Sequence, residues 1–235
     1  MLLRGSMHAI ILAAGRGSRL GRDIPKAALE IAKDTTILDT QLRNLATISS
    51  VEEVSVVVGF RSELITQKYF DLSFIYNDNY EGTNTAASLL LALESINVDD
   101  ILWLNGDVVF DGGFLSSIQK KFDRNLVFVK RGRCGAEEVK YSVDRDGAIL
   151  NISKTVSNAL GEAVGINLIK KKDLTTFIAC LSECSPADFF ERAIELAIER
   201  GVSFLPVDIG DDFCVEVDFE EDLQKVKEYF SSEVQ

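Results

Sequence analysis

Short apolar runs and helical periodicity take turns along the first half of the chain. Four runs, His8–Ala13, Val54–Val58, Ser73–Tyr76 and Ile101–Leu104, have the length and composition of buried strands. Between and after them the apolar spacing lengthens to a helical period over Thr36–Ile48, Ser62–Lys68, Asn84–Glu94 and Gly113–Phe122. Strand and helix in alternation imply βαβ units, hence a mostly parallel sheet with helices on both faces. The rhythm then changes. Leu126–Lys130, Val139–Val143 and Ala148–Ile152 read as strands with no helix between them, and Asp144-Arg145-Asp146-Gly147 supplies a hairpin turn. Leu160–Ile169 predicts a strand returning to the main sheet. Helices follow over Lys171–Leu181 and Pro186–Arg200, proline being favourable early in a helix. Short strands at Ser203–Val207 and Cys214–Val217 precede a closing helix, Phe219–Phe230, in which Phe219, Leu223, Val226 and Phe230 have the spacing of a core stripe. The expectation is an α/β fold: one domain over residues 7–235, with a small hairpin lid.

Composition narrows this frame. The 235 residues are 46% hydrophobic and 26% charged, a globular balance. A net charge of −12 argues against a nucleic-acid surface, which would need a basic stripe. Four cysteines without a paired framework point to a reducing, cytoplasmic setting, and with a single histidine a zinc site is disfavoured. Cys180 and Cys184, four apart, share a helix face. No apolar run reaches the roughly 20 residues of a membrane span. Met1 to Met7 carries no signal-peptide core, so residues 1–6 read as an N-terminal extension, either native or a cloning remnant ahead of Met7. The oligomeric state stays open, a homodimer included.

Against this acidic background, residues 12–26 stand apart. They place Gly15, Gly17, Gly21, Ser18 and four cations (Arg16, Arg19, Arg22, Lys26) in the loop after the first strand. A nucleoside triphosphate carries about four negative charges, and backbone N–H groups of a glycine-rich turn converge on such oxygens. Arginine grips phosphate bidentately, whereas lysine is a mobile point charge. Pro25 biases Ile24 toward an extended conformation just ahead of Lys26. The loop has neither the Gly-Lys-Ser/Thr of a Walker motif nor the glycine spacing of a Rossmann turn.

In open α/β sheets ligands bind beyond the carboxyl ends of the strands. Two more strand ends carry acids: Asn105-Gly106-Asp107 and Glu216-Val217-Asp218. Glu216 and Asp218, two apart on a strand, face one side. Oxygen donors beside a phosphate loop suit Mg²⁺. The competing structural reading makes Asp107 and Asp218 caps of the helices that follow. Glu216 in an apolar strand needs a reason, because an unpaired buried charge is costly.

The stretch from Leu12 to Lys26 resembles the N-terminal motif of the nucleotidyltransferases that make sugar nucleotides and CDP-alcohols: Leu-Ala-Ala-Gly-x-Gly-Ser/Thr-Arg-Leu, a short insert (here Gly21 to Ile24), then Pro-Lys. The short insert is similar to that of molybdopterin-type (MobA-like) and inositol-phosphate members. Tyr76-Asn77-Asp78, Tyr80, Thr83-Asn84-Thr85 and Ser88-Leu89-Leu90 resemble the base and ribose segment of phosphocholine cytidylyltransferases. Gly161-Glu162-Ala163-Val164-Gly165-Ile166 resembles the acceptor-side strand of the phosphocholine and aminoethylphosphonate enzymes. The matches fall in separate segments in the family's order and cover most of the chain.

The resemblance implies the three-layer Rossmann-like fold of nucleotide-diphospho-sugar transferases and transfer of CMP from CTP to a small phosphorylated or phosphonate acceptor. It implies Lys26, Arg19 and Asp107 as catalytic residues. Leu12, Ala13, Ala14, Gly15, Arg16, Gly17, Ser18, Thr83, Asn84 and Ser88 join Arg19 and Lys26 in nucleotide binding. Asp107 and Asp218 would hold Mg²⁺, with Glu216 a third candidate, and Glu162, Asn84 and Tyr80 would face the acceptor. A choline head group calls for an aromatic cage, for which Tyr80, Trp103 and Tyr141 are available, Trp103 lying in an apolar strand with core character. Inositol 1-phosphate, a sugar 1-phosphate or aminoethylphosphonate remain open as acceptors. Among rival readings, a glycosyltransferase of related fold calls for Asp-x-Asp after the central strand, where this chain has one acid. A non-catalytic nucleotide-binding protein has no need of Lys26, Asp107 and Asp218 together.

Overall fold

The computed structural model describes residues 6–96, 99–117, 119 and 122–233. The strands are β1 (Met7–Ala13), β2 (Glu30–Ala32), β3 (Thr35–Thr36), β4 (Val51–Val58), β5 (Ser73–Tyr76), β6 (Asp100–Asn105), β7 (Val108–Phe110), β8 (Asn125–Arg131), β9 (Lys140–Val143), β10 (Ile149–Ser153), β11 (Gly161–Ile169), β12 (Phe204–Asp208) and β13 (Cys214–Glu216). The helices are α1 (Ile37–Leu45), α2 (Glu63–Thr66), α3 (Thr85–Ser95), α4 (Gly112–Ser117), α5 (Lys171–Glu183), α6 (Phe190–Glu199) and α7 (Glu220–Glu233).

Nine strands make one sheet, whose main run is β12-β8-β11-β6-β1-β4-β5. β6, β1, β4 and β5 are parallel, as are β8 and β12; β11 alone in this run lies antiparallel to its neighbours. Both faces are covered, as the continuous apolar strands require. On β1, Ala9, Ile11 and Ala13 pack with Leu38, Leu45 and Ile65 of α1 and α2, while Ile10 and Leu12 pack with Leu89, Phe177, Phe190 and Ala193 of α3, α5 and α6. A third apolar cluster, including Leu29, Ile31, Leu223 and Val226, seats α7 against the β2–β3 hairpin.

The hairpin β9–β10 forms at the expected place, but it is fastened: Lys140 and Tyr141 pair with Glu162 and Gly161 of β11, and Tyr141, Ile149 and Ile152 are buried in the core. Trp103 is fully buried against Phe177 and Phe190, so neither it nor Tyr141 is free for an aromatic cage.

Two expectations need correction. The helix over Pro186–Arg200 begins only at Phe190, because the four residues before it serve the neighbouring α3. Asn84 N donates to Pro186 O (2.8 Å), Ala86 N to Asp188 O (3.3 Å), and Phe190 N to Thr85 Oγ1 (3.1 Å). Phe219 leaves the core stripe: Leu223 and Val226 are fully buried, whereas Phe219 is 45% exposed beneath the Arg19 guanidinium. The helix expected to run to Phe122 is seen as Gly112–Ser117, and its continuation includes positions outside the described residues, as do residues 1–5 of the N-terminal extension. Among the described residues no helix is long and apolar enough to cross a membrane.

Candidate active site

β1 and β6 run side by side, with Leu12 opposite Asn105, so the glycine-rich loop and the Asn105-Gly106-Asp107 turn leave the sheet together. Gly106 N donates to Leu12 O at 2.8 Å. The small β7–β13 ladder sets Glu216 opposite Val108, and Val217 N donates to Asp107 O at 3.0 Å. This ladder, which the sequence did not reveal, brings two carboxylates 111 positions apart to one place.

Lys26 joins them. Its Nζ donates to Asp107 Oδ2 at 2.8 Å and also to Asp218 Oδ1. Arg19 Nη1 donates to the other Asp218 oxygen, Oδ2, at 2.8 Å. Burial by itself would lower the Lys26 ammonium, but Asp107 and Asp218 outweigh it and hold the pKa above its ordinary value. Burial would likewise raise Asp218; Lys26 and Arg19 overcome that and hold it low. Gly17 lets the lysine through. It sits at φ +60, and a Cβ there would meet Lys26 Cγ at 2.7 Å. Neither aspartate is a helix cap. Asp222 Oδ2 accepts from Phe219 N at 3.0 Å, and Asp111 Oδ1 accepts from Gly113 N at 3.1 Å.

These groups form one end of a cavity of about 390 Å³, whose walls include Leu12, Ala13, Gly15, Gly17, Ser18, Arg19, Lys26, Asn84, Asp107, Glu216 and Asp218 of the expected set. A side pocket of about 60 Å³ adjoins it, sharing Leu12, Gly15 and Asn84, and takes in Ala14, Tyr80, Thr83 and Ser88. There Asn77 Nδ2 donates to Thr83 Oγ1 and Ser88 Oγ, both at 3.0 Å. Tyr80 therefore groups with the nucleotide-side candidates rather than with the acceptor side, because its turn folds back onto Phe60 (ring centroids 6.1 Å apart).

Two expected residues stay outside both. Arg16 lies over the Phe60 ring, 5.4 Å from its centroid. Glu162 alternates with Ala163, which faces the cavity, and so points the other way, pairing across the sheet with Lys130. Burial and nearby Glu138 raise its carboxyl.

The cavity wall also takes in Glu137, Val139 and Lys154 around the hairpin, Gly165 on β11, and Phe189 and Glu191 at the start of α6, with Glu137 Oε2 accepting from Arg19 Nη2 at 3.3 Å. Glu191 is 7% exposed, and its Oε2 has no hydrogen-bond partner. Burial pushes its pKa to about 7. Glu216 is exposed to the cavity; the protein packed around it and the charge of Asp107 raise its carboxyl above the ordinary range, against a 3.0 Å hydrogen bond from Asn105 Nδ2. Gly165, at φ +70, leaves room for this carboxylate: a Cβ there would lie 2.6 Å from Glu216 Oε1.

Among the described residues no group of three or more His, Cys, Asp or Glu side chains stands ready to hold a metal ion. The two aspartates still fit Mg²⁺, which takes one or two carboxylates and keeps water or phosphate oxygens elsewhere. Both are part-exposed, and both already converge on one cationic nitrogen.

A family model described as the MobA-like NTP transferase domain matches residues 9–180. The CMP-5'-(3-aminopropyl)phosphonate synthase of Streptomyces rubellomurinus is 30% identical over 152 residues, covering 61% of this chain and 24% of that protein. The bifunctional protein GlmU of Acholeplasma laidlawii is 32% identical over 102 residues, 43% of this chain and 22% of that protein. The chain thus spans about a quarter of the length of these curated relatives. The inositol-1-phosphate CTP transferase from T. maritima superposes with a TM-score of 0.81 at 21% identity, covering 97% of each chain. The CTP:phosphocholine cytidylyltransferase from Streptococcus pneumoniae gives 0.78 at 18% identity, covering 96% of this chain and 99% of that one. At such identities the two structures show a shared fold: an α/β fold with a large mixed, mostly parallel sheet.

Proposed function

The chain belongs to the MobA-like NTP transferase family, and on that premise we propose that it is a cytidylyltransferase, moving CMP from CTP to a small phosphorylated or phosphonate acceptor. The observation that carries the reading is the Lys26 ammonium held between Asp107 and Asp218 beneath a glycine-rich loop. A protein that only bound nucleotide would have no use for that triad. The choice of CTP is supported by the aminopropylphosphonate synthase among its relatives and by the two CTP-using enzymes of like fold.

An acceptor oxygen attacks the α-phosphorus of CTP; the new P–O bond forms as the bond to the β-phosphate breaks, and pyrophosphate leaves. The attacking oxygen is anionic near neutral pH, so no residue has to take a proton from it. The chain's part is positioning and charge neutralisation. The loop amides at Gly15 and Gly17 and the Arg19 guanidinium would hold the departing phosphates. Lys26, on a flexible stem, would reach the α-phosphate and the incoming oxygen together. Asp107 and Asp218 would hold Mg²⁺, whose charge polarises the phosphoryl group when bound. The side pocket with Asn77, Thr83 and Ser88 offers donors and acceptors to the base and ribose.

The test is pyrophosphate release with CTP, Mg²⁺ and a panel of acceptors: phosphocholine, 2-aminoethylphosphonate, inositol 1-phosphate and sugar 1-phosphates, with ATP, GTP and UTP in parallel. Release that depends on CTP and an acceptor supports the reading. Release with another nucleotide in preference to CTP, or none with any pair, overturns it.

A further inference from the structure

We infer that the cavity wall formed by Phe189 and Glu191 is a cation subsite, built to receive the ammonium end of a zwitterionic acceptor. The inference rests on the nucleotidyl-transfer reading and names the acceptor's chemical class: an alkyl phosphate or phosphonate carrying a primary or quaternary amine.

The cavity wall differs in character from place to place. Arg19 and Lys26 offer charge to phosphate. Elsewhere on the wall stands Glu191, a carboxylate more than nine-tenths buried, with an oxygen that no protein donor satisfies. Lys154 lends it charge but no hydrogen bond, and such an oxygen is expensive to leave unsatisfied, so the donor that completes it is expected from outside the chain. A neutral polyol offers hydroxyls but no charge; an ammonium offers both donor and charge. Phe189, two residues away on the same wall, is 45% exposed. A bare aromatic ring beside a carboxylate is the pairing that holds alkylammonium groups, the ring face attracting the cation and its methylenes.

The ring already has an ammonium near it. Lys154 Nζ lies 5.3 Å from its centroid, and its contact with Glu137 Oε2 is long, at 3.5 Å. A lysine held so loosely at a part-exposed position yields to a ligand cation and stays close enough to meet the ligand's phosphate. The wall itself is firm. Its backbone is tied to the start of α3 through Pro186 O, Asp188 O and Phe190 N. The acceptor would therefore lie across the cavity, anion toward Lys26 and cation toward Glu191.

The experiment is calorimetric titration of the full chain, with Mg²⁺ and α,β-methylene-CTP present, using two matched pairs. Phosphocholine is compared with 3,3-dimethylbutyl phosphate, its uncharged carbon counterpart, and 2-aminoethylphosphonate with propylphosphonate. At least one cationic member is expected to bind tenfold or more tightly than its neutral partner. Glu191→Gln should remove most of that preference and leave the neutral ligands within twofold. Phe189→Leu, at an exposed position that does not threaten folding, should weaken the cationic ligand several-fold. Equal binding within both pairs, no binding by either cationic ligand, or a Glu191→Gln effect shared by charged and neutral ligands would overturn the subsite. Pyrophosphate release from CTP with inositol 1-phosphate or a sugar 1-phosphate alone would show that the subsite fails while cytidylyl transfer stands. Silence across every acceptor would remove both.

Discussion

Glu191→Gln should shift the stability balance toward the variant as pH rises, across a defined window. In the folded chain Glu191 is buried, and burial is the largest influence on it. A hydrogen bond from its own backbone amide and the charge of Lys154 pull the other way, Glu195 adds to the rise, and the carboxyl settles at about 7 against an ordinary 4.5. The sign follows from proton counts. Between those two values the unfolded chain has lost the proton that the folded chain keeps, so folding is favoured below 4.5 and progressively loses that advantage as pH rises to 7. A 2.5-unit interval at about 1.4 kcal/mol per unit amounts to about 3 kcal/mol. Glutamine has no such titration and leaves a buried amide whose cost is the same at every pH. The stability difference between variant and wild type should therefore swing by about 3 kcal/mol toward the variant between about pH 5 and pH 8. In a chain of this size that is roughly 6–12 °C of Tm. Thermal and urea unfolding, followed by circular dichroism across the range, measure it. A gap that stays constant with pH would show that the folded state does not penalise the ionised carboxylate and would refute the reasoning.

Lys26→Ala should lower turnover by well over tenfold, each decade corresponding to about 1.4 kcal/mol, with a smaller effect on CTP affinity; near-normal kcat would remove the lysine from the chemistry. Gly17→Ala combines a strained φ with a collision against Lys26 Cγ and should destabilise the fold by about 1 kcal/mol or more, visible as a lower urea midpoint, while reducing activity further by displacing the lysine. Asp218 is held low by Lys26 and Arg19, so its contribution is present above its unfolded pKa and is lost as pH falls through the folded value. The stability gap between wild type and Asp218→Asn should accordingly shrink on acidification, and unfolding curves in the acid range check the direction. Chelation of divalent metal should stop pyrophosphate release without lowering the unfolding midpoint of the nucleotide-free protein by more than a degree or two.

The sheet was legible because its strands are buried on both sides and therefore continuously apolar. Met7–Ala13 and Asp100–Asn105 extend the expected runs by one or two residues only. Helices with a capping residue were equally plain: Thr36 and Asn84 both cap where the pattern begins. The loop end of the site was readable for a related reason, since glycines and cations packed into fifteen positions have few structural uses. The wall at Phe189 and Glu191 was not. Glu191 sits at a helical position that looks like any solvated glutamate, and only the folding of residues 186–189 against α3 buries it. Phe219 has the spacing of a core residue, yet its place just before the helix start leaves it part-exposed under Arg19. Glu162 lies off the cavity wall because alternation along β11 turns Ala163, not Glu162, toward it. The strand at Cys214–Glu216 was legible, but its pairing with Val108–Phe110 was not, because a three-residue strand directly after Asp107 leaves almost no pattern.

The strap from Pro186 to Phe190 is bonded to Asn84, Thr85 and Ala86, and Asn84 also belongs to the wall shared by the cavity and its side pocket. The proposed nucleotide wall and amine wall thus share one backbone frame. If both substrates bind as proposed, whatever one adds to the other's affinity is returned in equal measure, and selectivity for the acceptor would be written partly into the segment that also lines the nucleotide side.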